Sequence, residues 1–552
     1  VTLTPVEIAR LLGRRDLPTP EQQAVITAPL RPGVVIAGAG SGKTETMAAR
    51  VVWLVANAHV QPHEVLGLTF TRKAAGELAQ RVRRRLQALA DATGASDLAG
   101  EPTVSTYDAF AARVVAEHGA RLGLEPDRWL LTPAASWQRA ARLVARWDGD
   151  MGEVEYAPDT VVADVLDLHE QAAGHLASLD DVAGLSAAVR QAIETLPPGR
   201  KQRLAVAGDL RTPLKAQRAR LQLLALVRAY RDALRRDEAA DFATIAADAA
   251  QLALTDAGVG QALRAQFRVV LLDEYQDTSH AQLALLHAVF GSGHALTAVG
   301  DPFQSIYGWR GANADTLASF AQRFGDAGPV DERTLRTSFR NAHLVLQVAN
   351  AVAEPLRGGP VEVPTLVAAP DAPAGVVRVA LHPTAADEAE ALAARLDALW
   401  RGREPVPGRS GDAEGPPQVA VLARKRDQIP LLEAALRARD LPVEVVGLDG
   451  LLTLPEVADV VALLRLLADP SRGDAFMRLL TGPLLAFGPR DLDALARWAR
   501  TLAVPDPQLA EWQQQRPGIV EVLDHLPPSG RLSEPAAARL RTFAGSVTRL
   551  RA

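Results

Sequence analysis

The stretch VVIAGAGSGKTET at residues 34–46 constrains the fold more than any other. Val34 to Ala37 read as a short buried strand, the glycines at 38, 40 and 42 stop it, and the residues from Lys43 onward suit a helix. A strand feeding a glycine-rich turn and then a helix presents backbone N–H groups to a phosphate. In that geometry the N–H groups of Gly38, Ala39, Gly40, Ser41 and Gly42 converge on phosphate oxygens, Lys43 reaches the β and γ phosphates, and the Thr44 hydroxyl holds Mg²⁺. Ala37 stands where this pattern begins with Gly. The plain alternative is a glycine-rich turn with an incidental lysine.

Such a strand needs neighbours, and the sequence supplies them. Val65–Phe70, Thr103–Thr106, Val269–Leu272 and Leu296–Val299 are apolar or β-branched runs that alternate with helical patterns such as Lys73–Leu89. Alternation of this kind predicts an α/β protein with a parallel sheet. The 552 residues allow about three to four domains at roughly 100–200 residues each. We expect a first α/β domain in two parts, 1–108 and 266–330, interrupted by an Ala/Arg/Leu-rich helical insertion at 109–265. Strand-like runs at Val376–Leu381, Val419–Leu422 and Val443–Val446 predict a second α/β domain at 331–470, followed by helical sequence at 471–552. The Pro/Gly/charged stretch 402–417 reads as an exposed loop.

Composition excludes some chemistries. The absence of cysteine removes disulfides and thiolate metal sites. A net charge of −5 announces no global basic field, so any nucleic acid must be met by local groups. No apolar run reaches the ~18–20 residues that span a bilayer, and the N-terminus lacks a signal pattern, so we expect a cytoplasmic protein without membrane contact.

Two further strand ends carry chemistry. VVLLDEYQD (269–277) puts Asp273 and Glu274 at the end of an apolar run, where desolvation is costly unless they serve a cation or a proton. Beside a bound nucleoside triphosphate, Asp273 would anchor the Mg²⁺ shell and Glu274 would orient and deprotonate the attacking water. A helix-capping pair is the structural alternative. GDPFQSIYGWRGA (300–312) places Gln304 where an amide could sense a γ-phosphate, followed by Tyr307, Trp309 and Arg310. Aromatic faces stack bases at roughly 1–3 kcal/mol each without sequence preference, and an arginine neutralises phosphate. Core packing of the two rings is the alternative. LTFTRKAAGELAQRV (68–82) offers Phe70 as another stacking face, with Thr71, Arg72 and a helix N-terminus for a backbone phosphate. The arginines at 83–85 read as a solvated helix face. LRTSFRN (335–341) sets Phe339 beside Arg340, a charge that could cross a cleft to a γ-phosphate.

These stretches, in this order, closely resemble superfamily 1 DNA helicases of the UvrD/PcrA/Rep type. LPTPEQQAV (17–25) is similar to the family's glutamine motif, implying that Gln22 reads adenine. AGAGSGKT (37–44) resembles its nucleotide-binding loop, TFTRKAA (69–75) its first strand-binding motif, DEYQD (273–277) its acidic motif, and GDPFQSIYGWRGA its coupling motif. SFR (338–340) implies Phe339 against adenine and Arg340 on the γ-phosphate. VSTYDAF (104–110) looks like the next strand-contact motif, implying a DNA contact at Tyr107, with Asp108 where a His is common. The wording LLDEYQDTSHAQ and VSTYDAF is most like the AdnB motor subunit of actinobacterial helicase-nucleases.

The resemblance implies two RecA-like P-loop domains with parallel sheets, a helical insertion in the first and the start of one in the second. It also implies an ATP- and Mg²⁺-dependent 3′-to-5′ helicase or translocase in DNA repair or recombination. Single-stranded DNA and duplex ends would be its partners, with a second helicase-nuclease subunit. The family's late motifs do not occur before Ala552, and no lysine has Glu two residues before it, so no Glu-x-Lys nuclease centre is expected here and the chain reads as the N-terminal part of a longer protein with little activity alone. A non-catalytic nucleotide- and DNA-binding clamp is the alternative function. A small-molecule kinase would account for the phosphate loop, but leaves Tyr307, Trp309 and the second α/β domain unexplained.

Overall fold

The computed structural model describes residues 2–94, 100–197, 208–291, 293–308, 314–326, 328–359, 361–403, 415–446, 452, 454–469, 471–502 and 518–551. Trp309, Arg310 and most of the 402–417 loop lie outside the described residues. The chain divides into two compact units, residues 1–380 with 405–414 and residues 381–404 with 415–552.

Ten strands form among the described residues: β1 Gly33–Ala37, β2 Val65–Thr69, β3 Thr103–Thr106, β4 Trp129–Leu130, β5 Ala239–Ala240, β6 Val269–Leu272, β7 Leu296–Gly300, β8 Asp331–Leu335, β9 Thr337–Ser338 and β10 Val367–Ala368. Six of them make one parallel sheet in the order β3-β2-β6-β7-β1-β8. The α/β class with a parallel central sheet therefore holds. Successive side chains on a strand point to opposite faces, and the sheet is covered on both. Val34, Ile36, Leu66, Leu68, Val270 and Leu272 pack against the helices Tyr107–His118, Phe242–Thr255 and His280–Phe290. Val35, Ala37, Leu271 and Val299 pack on the other face against the helices Lys43–Ala56 and Arg72–Thr93.

Two boundaries move from those the sequence suggests. The sheet runs on through β8 to Leu335, because Asp331–Leu335 pairs with β1 residue for residue, so the first domain does not end at 330. The insertion with a core of its own is shorter than 109–265. Its helices Pro133–Ala145, Pro158–Gly174, Leu179–Thr195 and Arg211–Arg236 close around Val165, Leu226, Val227 and Tyr230, and the β4–β5 pairing joins its two ends. The helices Tyr107–His118, Phe242–Thr255 and Ala257–Gln266 share the insertion's Ala/Leu-rich composition but contribute to the sheet's core.

In the second unit, the helices Pro455–Ala468, Gly473–Thr481, Pro489–Thr501 and Glu534–Arg551 enclose Phe476, Leu480, Leu495 and Leu540. The strand-like runs 376–381, 419–422 and 443–446 enter no ladder among the described residues. Val379, Leu381, Leu422 and Val446 are largely exposed. An apolar run becomes a strand only when another backbone takes its N–H and C=O groups, and β-propensity alone does not supply one.

Candidate active site

Among the described residues, every motif singled out in the sequence, apart from the glutamine motif, lies at or just beyond the carboxyl edge of the parallel sheet. This is the edge where open α/β sheets bind ligands, outside strand ends and near a change in strand order. β1 runs into the loop 38–42, β2 into Phe70 and Thr71, β6 into Asp273 and Glu274, β7 into Asp301, and β8 into Ser338–Arg340.

The loop needs glycine at two points. Gly40 and Gly42 have φ of 76° and 81°, and a Cβ on Gly42 would lie 2.8 Å from Gln22 Nε2. A Cβ on Gly40 would lie 2.6 Å from Ser338 Oγ and 2.7 Å from Arg340 Cβ. Ser338 and Phe339 are tied to the outer side of the loop, since Ser338 Oγ donates to Ala39 O (3.0 Å) and Phe339 N to Gly40 O (2.9 Å). Ser41 is buried and its hydroxyl donates to Gly38 O at 2.8 Å. Gln22 is also buried; its oxygen accepts Thr19 N–H at 3.1 Å and its amide donates to Ser41 O at 3.4 Å.

Lys43 Nζ lies 3.7 Å from Glu274 Oε2. Burial pushes the Asp273 carboxyl up to about 6, with the neighbouring Glu274 charge adding to it; Lys43 and hydrogen bonds from Glu274 N–H and the Thr44 hydroxyl act against the rise. A buried carboxylate facing a hydroxyl and only one lysine suits a divalent cation. Among the described residues no group of three or more His, Cys, Asp or Glu could hold a metal unaided. Mg²⁺ takes one or two protein ligands and fills its shell with phosphate and water. Glu274 has φ of 49°, a left-handed backbone that is unfavourable for a residue with a Cβ, and such strain gathers at functional sites.

Sequence reasoning missed the residue that joins two of these strand ends. Gln276, 1% exposed, donates to Glu274 Oε2 (2.8 Å) and to Asp277 Oδ2 (3.3 Å), and its oxygen accepts Asp301 N–H (3.1 Å). Burial and the Glu274 charge push Asp277 up to about 6. Gln304 Nε2 donates to Asp301 Oδ2 at 2.6 Å, so Gln304 belongs to the same polar cluster. Arg340 is exposed, and Phe339, half exposed, lines the same open cleft as Gln22.

Phe70 and Tyr307 stack on each other, with centroids 4.8 Å apart and planes 29° apart, and both are partly accessible. Thr71 caps the helix Arg72–Thr93 by accepting Ala74 N–H at 3.1 Å, and Arg72 is exposed. Tyr107 departs from its expected role as a strand contact. It is 3% exposed and its hydroxyl donates to Asp273 O at 2.9 Å, so its ring packs in the core and presents no face to a base.

A parallel sheet with a glycine-rich loop after β1, a lysine and a threonine opening the next helix, and acidic residues at the end of a nearby strand is the arrangement of the P-loop nucleotide-binding class. Within that class the chain belongs to the UvrD/Rep helicase family. Residues 18–325 match the UvrD/REP helicase N-terminal domain and residues 334–514 match the UvrD-like helicase C-terminal domain. DNA helicase II of Escherichia coli (strain K12) is 27% identical over 95% of this chain and 62% of its own length. ATP-dependent DNA helicase PcrA of Leuconostoc citreum is 26% identical over 94% of this chain and 60% of its own. ATP-dependent DNA helicase UvrD2 of Mycobacterium tuberculosis (strain ATCC 25618 / H37Rv) is 28% identical over 91% and 67%. The chain thus spans about three-fifths of the length of the first two. Among the described residues no helix is long and apolar enough to cross a membrane.

Proposed function

We propose that this chain hydrolyses ATP with Mg²⁺ and couples the hydrolysis to 3′-to-5′ movement on single-stranded DNA, as the motor of a helicase acting in DNA repair or recombination. The observation that carries the reading is the convergence of four strand ends. Lys43 Nζ stands 3.7 Å from Glu274 Oε2 beside Asp273 and Thr44, while the Phe70–Tyr307 stack lies past the ends of β2 and β7 of the same sheet.

In this reading the backbone from Ala37 to Thr44 wraps the phosphates, and Lys43 neutralises their charge. Thr44 and Asp273 hold Mg²⁺, which when bound supplies charge neutralisation at the phosphates. Glu274 accepts the proton of the attacking water, Gln304 senses the γ-phosphate, and Arg340 meets the charge that develops on it. Gln22 and Phe339 hold adenine. Phe70, Thr71, Arg72 and Tyr307 take the strand, and the assignment extends to Trp309 and Arg310. The Gln304 amide is engaged by Asp301 and both ends of the Gln22 amide are engaged, so in this reading nucleotide exchanges those partners for its own.

ATP turnover by the purified chain, measured with and without single-stranded DNA, tests this reading. DNA is expected to raise turnover, and Lys43→Ala to lower it by about 10²-fold or more while DNA affinity is retained. Absence of DNA stimulation, or an equal loss of DNA affinity in the variant, would count against it. Opposite tails on a duplex test direction, since only a 3′ tail should load the motor. The wording LLDEYQDTSHAQ and VSTYDAF supports a finer reading, an AdnB-like subunit working beside a second helicase-nuclease subunit in the cytoplasm. Processing of duplex ends that requires that second subunit is its test.

A further inference from the structure

Arg50, on the helix Lys43–Ala56, is 2% exposed. No carboxylate forms an ion pair with it among the described residues, and burial pushes its pKa down to about 10, which leaves it protonated at neutral pH. The acceptors of its hydrogen bonds are backbone carbonyls: Nη1 donates to Val25 O (3.1 Å), Ile26 O (3.0 Å) and Ala28 O (2.9 Å), and Nη2 to Pro29 O (3.3 Å). These carbonyls stand at and just past the C-terminus of the helix Pro20–Ile26, where a helix leaves acceptors unpaired and presents the negative end of its dipole. The same seven-residue helix carries Gln22, which caps its other end: Gln22 Oε1 accepts Thr19 N–H at 3.1 Å and Thr19 Oγ1 accepts Gln22 N–H at 3.3 Å.

We infer that Arg50 is a positioning residue for nucleotide recognition: its guanidinium clamps the helix Pro20–Ile26 from its C-terminus, keeps Gln22 in place against the base, and so sets the preference for adenine. The inference rests on the reading of Gln22 above. In that reading the amide that caps the helix is also the amide that reads adenine, so a base that engages it takes away one bond of the cap. The polar hold that remains is Arg50 at the far end, with Glu21 accepting Arg336 N–H at 2.9 Å. Arg50 stands seven residues after Lys43, two helical turns or about 10 Å along the same face. One helix therefore fixes the phosphate end of the site and the base-reading helix together. The tolerance is small, because a Cβ on Gly42 would lie 2.8 Å from Gln22 Nε2. A lysine at this position keeps the charge but lacks the planar fork that reaches four carbonyls.

The test is calorimetric binding of ATP, GTP and inorganic tripolyphosphate to the wild-type chain, Gln22→Ala, Arg50→Lys and the double variant. Tripolyphosphate reads the phosphate loop without a base. The wild type should prefer ATP to GTP by about 10-fold or more, and Gln22→Ala should lose most of that preference. Arg50→Lys should lower the preference by about 3-fold or more with tripolyphosphate affinity within about two-fold of wild type, and the double variant should match Gln22→Ala. An unchanged preference in Arg50→Lys, a further loss in the double variant, or an equal loss of all three ligands would overturn the inference and leave Gln22 in its role. The last of these is what a merely structural arginine gives. No preference in the wild type, or none lost in Gln22→Ala, would overturn the reading of Gln22 and the inference with it. Hydrogen exchange on the wild-type chain needs no variant to fold: the amides of residues 23–28 should stay as protected with ATP as without it, and their opening on ATP binding would overturn the clamp.

Discussion

Glu274 sits in a left-handed backbone conformation that costs of order 1–3 kcal/mol for a residue with a Cβ. Its side chain is bonded by Gln276, whose buried amide donates to the Glu274 carboxylate on one side and accepts the Asp301 N–H on the other. Glu274→Gln keeps the shape of the side chain but cannot take a proton from water. Its expected phenotype is ATP binding close to wild type with turnover lowered by about 10²–10⁴-fold. Single-turnover hydrolysis and equilibrium binding on one preparation check this, and near-normal turnover would remove Glu274 from the role of base. The candidate site residues at strand ends were legible because apolar runs stop abruptly at charged or amide groups. Gln276 carried a weak signal, an amide two residues past a candidate base. Ser338 carried none, since its partner Ala39 is 299 residues away and only tertiary structure brings them together. Tyr107 was expected as a strand contact because VSTYDAF resembles a strand-contact motif of the family, as TFTRKAA does. The difference is that Tyr107 opens the helix Tyr107–His118, which packs on the sheet, whereas Phe70 stands outside it.

At the scale of elements, the strands of the first sheet were readable and the helical layer around them was not sortable. All the helices between 107 and 266 are rich in Ala and Leu, and apolar periodicity gives each a buried face without saying which core it joins. The structure also shows a polar tie between insertion and sheet layer that periodicity cannot reveal. Asp241 caps the helix Phe242–Thr255 by accepting Thr244 N–H at 2.9 Å, and the same carboxylate meets His169 Nε2 at 3.0 Å and the Tyr230 hydroxyl at 3.1 Å, both from insertion helices. Burial pushes the Asp241 carboxyl up, and the His169 contact and Thr244 donors outweigh it, holding the group well below the usual carboxylate range. A carboxyl whose pKa is lowered by folding stabilises the fold above its unfolded value near ~4, and that contribution disappears as the pH falls through the acid range. Asp241→Asn should therefore lower stability at pH 7 by about 1–3 kcal/mol, and the gap from wild type should narrow below about pH 4. Urea unfolding at several pH values measures the gap; one that did not change with pH would assign the loss to packing instead of charge.

On the scale of the whole molecule, a net charge of −5 means that no long-range field gathers a polyanion, so in the proposed function DNA affinity comes from local groups, and those at the carboxyl edge of the sheet are the candidates. Two kinds of group are available there, and they respond differently to salt. Arg72 is an exposed cation at the start of the helix Arg72–Thr93, whereas Tyr307 is an uncharged ring already stacked on Phe70. A phosphate contact releases counterions, and each one lost reduces the slope of log K against log salt by about 0.7 for a single strand. A base stacked on an aromatic face contributes roughly 1–3 kcal/mol and leaves that slope unchanged. Arg72→Ala should therefore flatten the salt dependence by about 0.7 with a modest loss of affinity at low salt. Tyr307→Ala should weaken binding by about 1–3 kcal/mol at every salt concentration with the slope preserved. It should also lower DNA-stimulated ATP turnover more than basal turnover, because Tyr307 follows β7 by seven residues in the loop that carries Gln304 and so links the strand to the phosphate end of the site. Titrating a short single strand at three or more salt concentrations, with both turnover rates measured on the same preparations, resolves the two contributions. If Tyr307→Ala changed the slope, or lowered basal and stimulated turnover alike, the ring would be a packing residue of this edge and the strand would have to be held by charge alone.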